Sequence, residues 1–106
     1  MYVVHAVAPQ GESPFEHPFK AFSQRSTAVD YANQKVRDDA EHAMVYEVVG
    51  IEDARKAVAA VEMGKGVLID AKSKRLDEEA MRRLDKAEWD RALKAGPEAI
   101  FKYLGL

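Results

Sequence analysis

Nearly every position from Tyr2 to Ala8 is apolar, so a period of two puts Tyr2, Val4, Ala6 and Ala8 on one face and Val3, His5 and Val7 on the other. A strand that is oily on both faces belongs in the interior of a sheet. The segment PQGESPFEHP follows with three of the four prolines, which predicts a loop anchored by Phe15, Phe19 and Phe22. A short strand, Phe19 to Ser23, leads into a helix. There Ala28, Val29, Ala32 and Val36 recur at helical spacing, and Asp30, Asn33, Gln34, Lys35 and Arg37 fall mostly opposite. Ser26 or Thr27 is the expected cap, with Asp30 three residues after Thr27 as its capping-box partner.

The alternation returns at Ala43 to Val49, with Met44, Tyr46 and Val48 on one side and Ala43, Val45, Glu47 and Val49 on the other. Gly50 marks a turn, and IEDARKAVAAVEM predicts a second helix with acidic residues at its N-terminal end and Gly64 at its C-terminal cap. Val67 to Ala71 is a fourth, brief strand. Helical spacing resumes from Leu76 to Ala95, with a second capping-box pattern at Asp85 and Glu88. Gly96 and Pro97 then stop that helix and start a last, amphipathic one carrying Ile100, Phe101 and Leu104.

This order, ββαβαβ, predicts an α+β fold: a two-layer domain on a small mixed four-stranded sheet, followed by two or three short C-terminal helices. One domain over residues 1–106 is expected, with a sheet-containing part at 1–71 and a helical part at 72–106. With 106 residues and 47% hydrophobic content, the chain can bury one core but not two.

Charge and cysteine content narrow the classes. A formal charge of −2 opposes a dedicated nucleic-acid binder. The absence of cysteine removes thiol nucleophiles, thiolate metal sites and disulfides. The N-terminal segment has no basic leader region, and no stretch approaches the ~20 apolar residues of a spanning helix. A cytoplasmic location, with no membrane contact and no cofactor, is the expectation.

Candidate chemistry is sparse. His5 and Glu47, each interrupting an apolar strand, pair naturally as a proton-transfer couple of a small cofactor-free enzyme or a ligand-binding protein. The favoured reading is nevertheless a solvated or mutually satisfied structural pair, since structural pairs also perturb pKa. Glu12, Glu16 and His17 share the proline-rich loop but match no metal-ligand spacing, so no metal is expected. His42 is expected in the turn after the first helix. Gly64, Lys65 and Gly66 resemble part of a phosphate loop, yet they close a helix instead of opening one. Lys72, Lys74 and Arg75 form a basic cluster for weak nucleic-acid contact, diluted by Asp77, Glu78, Glu79 and Asp85.

The remaining signal is the apolar set Trp89, Leu93, Ile100, Phe101 and Leu104, which reads as an interface as readily as it reads as core. The expected function is therefore a small binding or interaction module, self-associating as a homodimer or with a protein partner through its C-terminal helices. An enzyme is the less favoured reading. A small-molecule ligand at His5 and Glu47 is the alternative, and weak nucleic-acid binding a second one.

Overall fold

A computed structural model of the chain describes residues 1–74, 85–96, 99 and 102. In order they form β1 (Tyr2–Val7), β2 (Phe19–Phe22), α1 (Arg25–Asp38), β3 (His42–Glu47), α2 (Ala54–Glu62), β4 (Val67–Ser73) and α3 (Lys86–Ala95). The sheet order is β2-β1-β3-β4. The strand with two apolar faces, β1, is thus an inner one.

Each neighbouring pair is antiparallel, which corrects the expectation of a mixed sheet. The reason lies in the crossover. β2 and β3, joined through α1, run in the same direction, but β1 lies between them and opposes both, so no parallel ladder forms. Val4 stands opposite Val45, Val3 opposite Tyr46 and Tyr2 opposite Glu47, and this register decides which side chains share a face.

The two-layer expectation is also corrected, because helices cover both faces. On one face α1 contributes Ala28, Ala32 and Val36 to a buried cluster with Val4, Ala43 and Val45, closed at its margins by Tyr2, Phe22, Tyr31 and Ile69. Alanine at positions 28 and 32 has no side chain beyond Cβ, so the helix axis can approach the pleat closely. Val29, expected on that stripe, is only half-buried and outside the cluster. On the other face α2 packs Ala57, Ala60 and Val61 against Val3 and Val48. Beside it α3 packs Trp89 and Ala92 against Met44, Leu68 and Ala71.

Local signals explain most element ends. Asp53 accepts the Lys56 N–H at 3.0 Å and starts α2, and Asp85 accepts the Ala87 N–H at 2.9 Å and starts α3. At the end of α2, Gly64 N–H donates to the Val61 carbonyl and Lys65 N–H to that of Ala60. Together with φ of +82° at Gly64, this is a Schellman cap. The start of α1 differs from expectation. The helix begins at Arg25 after an extended Gln24 that makes no side-chain cap bond, so Ser26 and Thr27 fall inside the first turn. Among the described residues the C-terminal part carries one helix, α3, where two or three were expected. The other expected helical segments fall mainly on residues 75–84 and 97–106, which lie outside the described residues apart from Ala99 and Lys102.

Candidate functional site

The sequence-based pair is not brought together. Glu47 stands opposite Tyr2, whereas His5 stands opposite Met44 and Phe19. Directly paired residues share a face, and His5 is an odd number of positions from Tyr2, so the imidazole and the carboxylate lie on opposite faces of the sheet. A one-residue change in register would have united them. His5 stacks on Phe19 with ring centroids 4.2 Å apart and planes within 9°, and burial lowers its pKa below the ordinary histidine value. It is a neutral, half-buried packing ring at pH 7. Glu47 borders a shallow depression of about 540 Å³ with Met1, Tyr2 and Val48 to Glu52.

The other histidines are placed as follows. His17 is exposed, with Nε2 3.8 Å from the Glu16 carboxylate. Among the described residues no three His, Asp or Glu side chains gather as metal ligands. His42 belongs to β3 and not to the preceding turn, because its partner across the ladder is Ser73, and β4 extends two residues past its expected end to reach it. His42 Nδ1 lies 3.2 Å from Ser73 Oγ, which satisfies a hydroxyl that is otherwise buried.

In the basic cluster, Lys72 Nζ is 3.4 Å from the Asp70 carboxylate, with both side chains about four-fifths covered, so its charge is already compensated. Lys74 is exposed, and Arg75 lies outside the described residues. Of the expected interface set, Trp89 is spent on the monomer's own core. Leu93 is half-buried at the edge of that core, and Ile100, Phe101 and Leu104 lie outside the described residues.

What the structure assembles instead is a groove between α2 and α3. Its volume is about 510 Å³. Tyr46 is its floor, Val61 and Leu93 are its facing walls, and Gly64 to Leu68 with Lys94 and Gly96 complete the rim. Among the described residues Tyr46 is the one side chain that packs against both clusters on this face, because α2 and α3 stand on either side of β3 without closing over it. Among the described residues its hydroxyl donates only to the Met44 Sδ, at 3.8 Å, and burial raises its pKa, so it stays protonated at neutral pH. A thioether is a weak acceptor, which leaves most of the phenol's capacity unused.

Gly66 explains how the rim stays low. Its φ is +96°, and a Cβ there would meet the Glu47 carbonyl oxygen at 3.3 Å and the Val48 and Val61 methyl groups at 3.5 Å. The turn therefore lies tight against β3. Sequence reasoning missed this site. The available signal was a phenol on an otherwise apolar strand face, but the walls come from segments far apart in the chain. No protein-family model matches the chain, and neither a curated protein nor a solved structure is significantly similar to it. Among the described residues no helix is long and apolar enough to cross a membrane.

Proposed function

We propose that the chain is a small binding module whose working surface is the groove between α2 and α3, and that it holds a small, largely apolar molecule over Tyr46. The observation that carries this reading is a concavity of about 510 Å³ with apolar walls and one underused hydroxyl on its floor. That volume lies within the roughly 300–1,000 Å³ usual for ligand sites, which combine apolar walls with a few convergent polar groups. Catalysis by His5 and Glu47 is not part of this reading, since the sheet separates them. Amide-resolved NMR with a library of apolar fragments tests it. Shifts should gather at Tyr46, Val61, Gly66, Leu93 and Gly96. A library that perturbs none of these, or that concentrates its effects elsewhere, refutes the reading.

Self-association is a second reading, favoured by one observation. Val49, Met63 and Val67 are 81%, 73% and 64% exposed; Val49 lies two residues past β3, Met63 ends α2 and Val67 opens β4. Grouped exposure of large apolar side chains is the usual mark of a contact surface. Sedimentation of the parent and of a Met63→Glu, Val67→Lys variant across concentrations decides it. A concentration-dependent dimer that the variant abolishes supports the reading, and a parent that stays monomeric throughout ends it.

A further inference from the structure

Two lysines mark the rim of the groove. Lys65 follows the Schellman cap of α2, and Lys94 is in the last turn of α3. Both are exposed, and among the described residues neither has an ion-pair partner, whereas Lys35 and Lys72 are engaged by Asp39 and Asp70. No acidic side chain is among the described residues that line the groove. The walls below the lysines are Val61, Leu68 and Leu93, and Tyr46 offers a hydroxyl from the floor. The arrangement is thus an apolar slot beneath uncompensated positive charge.

We infer that the groove takes an amphipathic carboxylate: a free fatty or aryl-alkyl acid whose apolar body lies between α2 and α3 and whose anionic head rests between Lys65 and Lys94. This rests on the ligand-binding reading above and adds the class of ligand. The apolar body gains by leaving water, in proportion to the area that Val61, Leu68 and Leu93 cover. The head remains at the solvent edge, where a carboxylate keeps most of its hydration and meets two ammonium groups. A deep site would instead impose the desolvation cost of a buried charge. Two exposed cations give selectivity for sign more than affinity. Each is expected to contribute about twofold to fivefold at low salt, and less as salt screens it.

The probes are decanoate, decanol and decyltrimethylammonium, each below its micelle concentration, titrated into the full chain and followed by amide shifts. The expected ranking is decanoate tightest, decanol weaker and the cation weakest, with shifts at Tyr46, Val61 and Leu93. Lys65→Gln and Lys94→Gln should each weaken decanoate about twofold to fivefold, while leaving decanol binding and the melting temperature unchanged. Raising the salt should reproduce the loss. If decanol binds as tightly as decanoate and the lysine variants change nothing, the anion inference falls while the groove remains a binding site. If none of the three probes shifts the groove but other fragments do, the amphipathic class is wrong. If no ligand of any kind shifts it, both readings fall together.

Discussion

Val3 and Val4 are adjacent in β1 and both fully buried, yet they pack into different clusters: Val4 with Ala28, Ala32 and Val36 of α1, Val3 with Ala57, Ala60 and Val61 of α2. Truncating either to alanine removes two methyl groups, worth about 1.6 kcal/mol in transfer at ~0.8 kcal/mol per carbon. An unrelaxed void of about 40 Å³ adds about 1 kcal/mol at ~24 cal/mol per Å³. Each variant should therefore lose about 2–3 kcal/mol. The single tryptophan, Trp89, is buried against Met44 and Leu68 and gives a fluorescence signal for equilibrium urea unfolding. With a slope of about 1–2 kcal/mol/M, the midpoint should drop by about 1–3 M in both cases. A domain with one solvated sheet face would behave differently. One of the two substitutions would then cost under about 0.5 kcal/mol, as surface changes do. That result, at either position, refutes the three-layer arrangement.

Two further outcomes follow from single residues. Because burial lowers the His5 pKa below 6.5, the unfolded chain binds more protons as pH falls past that value. The associated stability is complete above about pH 6.5 and is lost as pH drops through the folded value. His5→Phe, which keeps a ring over Phe19, should flatten this part of the stability profile between pH 7.5 and 5. A variant with the parent's slope shows that His5 is not its source. Gly66→Ala should cost about 2–3 kcal/mol, and Gly64→Ala about 1–2 kcal/mol. Both positions have positive φ, but only the first crowds a carbonyl. Equal losses in urea midpoint would mean that the close approach to Glu47 is unimportant.

Much of the local structure could be read from residue order because its causes are local. Asp53, Asp85 and Gly64 act on atoms within a few residues of themselves, and the two apolar faces of β1 announce an inner strand directly. Pairing is another matter. Whether Glu47 shares a face with Val4 or with His5 depends on a register set by contacts between residues far apart in the chain, and the amino-acid pattern tolerates either. The same dependence hid His42, whose place in β3 is decided by Ser73 on β4. The candidate groove was hidden most deeply. Tyr46, Val61, Leu93 and Gly96 come together only after α2 and α3 have docked on the same face.

The two sheet edges show where contact with other molecules should not occur. β2 is four residues long and enters directly from Pro18, and its exposed Lys20 extends its ammonium 4.9 Å from the Tyr31 ring centroid. On β4 the register shifts between Val45 and Tyr46, which leaves Ile69 as an extra residue in a bulge. Just beyond it the Asp70 carboxylate accepts the Ala71 N–H at 2.8 Å and holds Lys72 nearby. That bond takes up a backbone donor of the edge strand. A bulge, charged side chains and shortness are the ordinary means by which sheet edges resist pairing. Association through backbone ladders is therefore disfavoured at both edges. What the described surface offers instead is side-chain contact, through the exposed Val49, Met63 and Val67 and through the groove over Tyr46, whose rim includes Val67.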